Sequence, residues 1–233
     1  MRLFTKIRNE IQNTQLAISA LFSKQKDYIE NTVPYVSQFA NQEYAEKILK
    51  DGADKTSDPN WKDTGAESPE EYAEWVLTMC GMACTSMALQ HLKNRKEGIV
   101  VLAKDAKTHG VYKEQNGELS GMHYKEFADW IKNYDIEAKI YTHLGVRGLQ
   151  KLLSDGDVVI VSVNPNIREY ETADTTQRGG HLVLVTGYDK IKNTLTLHNP
   201  SGFVSQNTQE NHTIPVSKFL RYYASRGVAL RSE

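Results

Sequence analysis

Apolar positions at the start of the chain recur at alternating spacings of three and four. Phe4, Ile7, Ile11, Ile18 and Leu21 follow this rhythm, with Thr14, Gln25 and Tyr28 in its remaining slots. The seam predicts one amphipathic helix. Three heptads with polar interruptions make a weak coiled coil, so the helix is expected to dock on its own domain or on a partner. Arg2, Lys6 and Arg8 add a basic flank, but the amphipathicity is modest, and a helix lying on a membrane surface ranks lower. This divides the chain into an N-terminal helical extension, residues 1–31, and one domain, residues 32–233.

Residues 32–38, TVPYVSQ, read as an extended entry segment, because proline biases the residue before it away from the helical region. The pattern then dissolves into a stretch dense in turn residues until Ser68, where a cap, Pro69 and two early acids predict a helix running toward Cys80. The segment CTSMALQHL continues helically. Further helices are predicted from Gly98 to about His109 and from Tyr124 to Asn133. The rhythm then changes: EAKIYTH, DVVIVSV, HLVLVTGYD, TLTLHN and GVALR are strand-like, with VRGLQKLLS a helix between the first two. Helices crowd the first half and strands the second, so the expected class is α+β.

Composition narrows the function. With 28 Lys and Arg against 29 Asp and Glu, the net charge is −1, which gives no global field for nucleic acid. Charge is uneven along the chain, however. Residues 1–26 hold five Lys or Arg and one Glu, whereas residues 39–79 hold ten Asp or Glu and four Lys. No run of eighteen apolar residues predicts a membrane span. The polar residues of the first helix interrupt any leader-like core, and the only two cysteines, Cys80 and Cys84, are too close along a helix for an unstrained disulfide. A cytoplasmic protein with free thiols is expected. His91, His109, His123, His143, His198 and His212 share no metal-ligand spacing, so no metal or cofactor is expected. The long polar loop NPNIREYETADTTQRGG, between two strands, has two readings: a segment shaping access to a site, or a solvated connection.

The candidate chemistry lies in three places. Cys80 and Cys84 sit in CGMACTSMAL, and each reads equally as a buried small hydrophobe or as a nucleophile. His181 opens the apolar strand HLVLVTGYD after two glycines, and Asn199 closes the next strand. If these strands pair through YDKIKN, His181 and Asn199 become neighbours. A cysteine at a helix start, a histidine at a strand start and an amide beside it are the parts of a thiol nucleophile site. A helix through Cys80 would leave the thiol without N-terminal amides, so a corner is expected around Met79 to Gly81, where glycine permits a break.

In relative order, VPYVSQ, CGMACTSMAL, GGHLVLVTGYD and HNPSG resemble the bacteriocin-processing, double-glycine cysteine peptidases and their stand-alone relatives, from about Val33 to the C-terminus. The resemblance implies a papain-like fold. It places the nucleophile on Cys80, the general base on His181, the orienting amide on Asn199 and the oxyanion-binding glutamine on Gln38. It also implies a peptide or protein substrate cleaved through a thioester acyl-enzyme. Two departures stand out. Met82 replaces a common proline. The acidic stretch at about 39–79 separates Gln38 from Cys80, so Gln38 requires that insert to loop out, with Gln42 as its substitute. The helical seam is expected to pack on the domain with the insert beside it as a rim that restricts substrate. The same triad also serves acyl transfer or deamidation, and a non-catalytic peptide-binding module is the rival class.

Overall fold

The computed structural model describes residues 2–173 and 175–233, with side chains from residue 7 onward. The side chains of Arg2, Phe4 and Lys6, and Asp174 of the polar loop, lie outside the described residues. In chain order, α1 (Arg2–Phe22) and the short strand β1 (Tyr28–Glu30) lead to α2 (Tyr44–Leu49), α3 (Pro69–Trp75), α4 (Cys80–Lys93) and α5 (Ile99–Thr108). A small hairpin, β2 (Glu114–Gln115) and β3 (Glu118–Leu119), precedes α6 (Tyr124–Trp130). Then follow β4 (Ile136–Tyr141), α7 (Val146–Ser154), β5 (Val158–Val163), β6 (His181–Asp189), β7 (Thr194–His198), β8 (His212–Pro215), α8 (Val216–Tyr222) and β9 (Tyr223–Ser232).

One antiparallel sheet runs in the order β4-β9-β5-β6-β7-β8, and β1 pairs with the far end of β6 beyond β5. Both faces are covered, which explains why β5 and β6 read as nearly unbroken apolar runs. Alternate residues serve two cores: Ile160, Leu182 and Leu184 pack against α4 and α5, while Val159, Val161, Val183 and Val185 pack against α7 and α8. Helix α4 is buried from Gly81 to Leu89, as expected of a helix apolar on all sides. The predicted α+β arrangement is present, with small differences at boundaries. The helix at Tyr124 ends at Trp130 and tightens into a 3₁₀ turn, Ile131–Tyr134, capped by Asp135 at φ +55°. Asn116 and Gly117, both at positive φ, turn a hairpin inside the segment that reads only as turns.

Two larger expectations are corrected. The acidic stretch does not loop out: Phe39, Ala45, Ile48, Tyr72, Trp75 and Val76 are buried in the core that surrounds α4. Asp58, fully buried, pins the stretch by accepting from the Tyr72 hydroxyl at 2.7 Å and from the backbone amides of Asn41 and Asn60. Its turn residues look like a linker in sequence because the apolar positions that anchor it are few and widely spaced.

Helix α1, for its part, docks by the face opposite its seam. Asn13 and Ala20 are buried, Leu16 packs on the second core, and Gln12 and Asn13 donate to the Ile140 carbonyl and the Thr142 hydroxyl at 3.3 and 2.8 Å. Ile7, Ile11, Ile18 and Leu21 are 45 to 60% exposed. The receiving surface, α7 and the edge strand β4, offers carbonyl and hydroxyl groups that amide side chains satisfy and isoleucines would strand.

Candidate active site

Cys80 is the first residue of α4. Helix α3 begins as expected, with the Ser68 hydroxyl accepting from Glu71 N and Pro69 in the first turn, and it ends at Trp75. A turn over residues 76–79 makes the corner. Thr78 N bonds back to Trp75 O and Ala83 N to Met79 O, so α4 starts afresh at the thiol. Gly81 also packs closely: a Cβ there would lie 2.9 Å from Met122 Sδ and 3.2 Å from Leu182 Cδ1, so these side chains would have to shift. Helix α4 therefore packs tightly against the side chains of β6 and of the 121–124 segment. The first amides of α4 have no intrahelical partner, and the Gly81 amide, with that of Leu182 on β6, interacts with the Cys80 sulfur.

His181 is the first residue of β6, reached through Gly179 and Gly180 at φ +88° and +95°, a conformation that disfavours side chains. The hairpin β6–β7 pairs Leu184 with His198, which carries Asn199 back beside His181. Asn199 Oδ1 lies 2.8 Å from His181 Nε2 and accepts from Ser201 N at 3.2 Å. The backbone donor identifies that atom as the oxygen, so the proton between the two side chains sits on Nε2 and leaves Nδ1 as the basic nitrogen. The entry segment grips this turn from behind: Tyr35 donates to Asn199 O, and Ser37 Oγ and Gln38 N donate to Pro200 O.

Cys80 and His181 line one cleft of about 340 Å³, with Met122, His123, Tyr124, Ser162 and Arg226 among its other walls. Cys80 is half-buried and Cys84 fully buried, both as free thiols. Cys84 Sγ faces the Leu182 carbonyl at 3.7 Å. Gln38 is buried, yet it does not line the cleft. Its side-chain amide donates to Val76 O in the corner before Cys80, and its Oε1 has no partner. Gln42 lies elsewhere, with its carbonyl accepting from Gln209 Nε2.

The surroundings disfavour charge on both Cys80 and His181. Burial pushes the Cys80 thiol up, against the opposing pull of the Leu182 and Gly81 amides and Arg168. Burial, then the Arg168 cation, pushes His181 down to about 3, with the Asn199 contact opposing. Burial thus opposes the charged form of each side chain.

Arg168 and Ser201 are the residues that sequence reading missed. Arg168 Nη2 donates to Ser201 Oγ at 2.8 Å, and Ser201 Oγ lies 3.1 Å from His181 Nε2. Burial lowers Arg168 to about 10, so it stays charged at neutral pH. The only hints in the sequence were the polar loop that carries Arg168 and the serine of HNPSG. Among the described residues no group of three or more His, Cys, Asp or Glu is placed to hold a metal ion.

The model of the Peptidase_C39-like family matches residues 30–229, nearly the whole domain. The chain belongs to that family. Its helices packed on an antiparallel sheet are the α+β arrangement that the sequence predicts. Two solved structures are similar at low identity. The peptidase domain of Streptococcus ComA, a bi-functional ABC transporter involved in quorum sensing, shares 15% identity over 67% of this chain and 93% of that one, with a TM-score of 0.45. A double-glycine-motif protease from an AMS/PCAT transporter, solved in complex with its leader peptide, shares 17% identity over 67% and 86%, with a TM-score of 0.44. A search of curated proteins found no match.

Proposed function

We propose that this Peptidase_C39-like chain is a cysteine peptidase acting on a peptide or protein. The observation that carries the reading is the Asn199 contact to His181 Nε2, which turns the free Nδ1 into the base of a cleft that also holds Cys80 at a helix N-terminus. In this reading the approach of a substrate carbonyl triggers transfer of the Cys80 proton to His181 Nδ1 as sulfur bonds to carbon. The amides at the start of α4 receive the oxyanion, each good donor contributing about 3 kcal/mol. The imidazolium then protonates the leaving amine. Water, activated by the same nitrogen, releases the acid from the thioester and returns the proton to sulfur. Asn199 holds the ring and its tautomer. Gln38 shapes the corner behind Cys80 through Val76 O, and its Oε1 leaves the amide one bond short.

A non-catalytic binding role has one observation in its favour: the Gln38 amide nitrogen is engaged by backbone instead of facing the cleft. Iodoacetamide at neutral pH separates the readings. A working peptidase is expected to be labelled stoichiometrically at Cys80 and not at buried Cys84, with parallel loss of hydrolysis of small peptides. A Cys80 as slow as a free buried thiol, with no hydrolysis of a peptide library, would support the binding role.

A further inference from the structure

Part of the surface of α1 stays exposed after the helix docks on the domain. Ile11 and Ile18 are each 53% exposed on it, and Phe22 at its end is 84% exposed. A second segment, distant in sequence, presents the most exposed large apolar residue described, Ile191 at 87%. The sheet joins the two places. Tyr28 pairs with Asp189, and Lys190 N donates to Asp27 O at 2.9 Å, so the β6–β7 tip lies against the chain that leaves α1.

Ile191 is held in a defined turn. Asp189 Oδ1 accepts from the amides of Ile191 and Lys192, both at 2.9 Å.

Lysines flank these side chains along the chain: Lys24 and Lys26 follow Phe22, and Lys190 and Lys192 bracket Ile191. The nearby acids are partly engaged: Asp189 by its turn and by Lys192 at 3.7 Å, Glu30 by the Tyr28 hydroxyl, with Asp27 between. We propose that this face docks on an anionic lipid bilayer. Phe22 and Ile191 would enter the interface, half-exposed Tyr28 would sit at its polar edge, and the lysines would meet lipid phosphates and carboxylates. A partner helix in the α1 seam fits less well. Thr14 interrupts the seam, Phe22 falls one residue off it, and Ile191 lies on another element.

The test is sedimentation of the full chain with vesicles of equimolar phosphatidylcholine and phosphatidylserine, beside vesicles of phosphatidylcholine alone. Binding is expected only to the anionic vesicles, weakening with added salt. Joint Phe22→Ser and Ile191→Ser is expected to lower the affinity at least about tenfold, and joint Lys24→Glu and Lys26→Glu to abolish it. Melting temperature should be unchanged in both variants, because Phe22, Lys24, Lys26 and Ile191 are all exposed, at or just beyond the end of α1 or on the β6–β7 turn. Absence of binding, equal binding to neutral vesicles, or binding indifferent to both variants would overturn the proposal. So would a concentration-dependent dimer dissolved by joint Ile11→Ser and Ile18→Ser, which would assign the face to a second copy.

Discussion

At the scale of single residues, the site is a contest between burial and hydrogen bonding. Cys80→Ala is expected to lower kcat/KM by at least about a thousandfold, as loss of a nucleophile does. Cys84→Ala, behind it, should keep most activity at a stability cost of about 1 kcal/mol, measured by denaturant titration beside peptide hydrolysis. The depressed His181 makes stability pH-dependent with a definite sign. Between pH 6.5 and about 3 the unfolded imidazole takes up a proton that the folded one refuses, so stability falls as pH drops through that window. His198 and His212, lowered by burial, act in the same direction. His181→Gln is therefore expected to lose less stability than the parent between those pH values in chemical denaturation. Arg168 lies close enough to lower both reacting groups. Arg168→Gln should raise both, moving the acid limb of kcat/KM to higher pH, whereas a merely structural defect would lower kcat/KM without moving that limb.

At the scale of elements, the corner between α3 and α4 does the positioning. Its parts were readable: a Ser-Pro start to α3, and Gly81 where α4 must approach Met122 and Leu182. The acidic stretch was misread because its order comes from sparse contacts, chiefly the buried Asp58 that takes Tyr72 and two backbone amides. Tyr72→Phe deletes the hydroxyl that donates to Asp58 and accepts from Ala40 N. The expected loss is about 2 kcal/mol, with small-peptide kinetics little changed, because Tyr72 does not line the cleft. A stability loss within error of zero would mean that this stretch is not held as described.

Taken as a whole, the molecule separates its charges and its surfaces. The acidic stretch packs into the core around α4, while basic α1 lies on α7 and β4. Among the described residues, none of α1, α7 or β4 contributes to the cleft walls. Deleting residues 1–22 is therefore expected to lower the melting temperature, since it uncovers the surface under Leu16 and Ala20, and to leave kcat/KM for small peptides unchanged. Faster cleavage would restore the restricting rim that the sequence suggested.

The sequence by itself determined the local pattern. Alternation and apolar runs marked β5, β6 and β7, caps and proline marked α3, Gly81 marked the break before α4, and Gly179 and Gly180 marked a bend before His181, where φ is +88° and +95°. Those are short-range facts, carried by sterics and by the period of each element. The tertiary structure decided which groups meet. It brought Asn199 to Nε2 through a hairpin register, and it placed Arg168 beside Ser201 from a loop with no periodic signal. It also engaged Gln38 with Val76 O. Most of all it chose the face by which α1 docks. An amphipathic pattern says that two faces differ, but which one is covered depends on the surface offered. Here that surface, an edge strand with open carbonyl and hydroxyl groups, is better satisfied by Gln12 and Asn13 than by isoleucine.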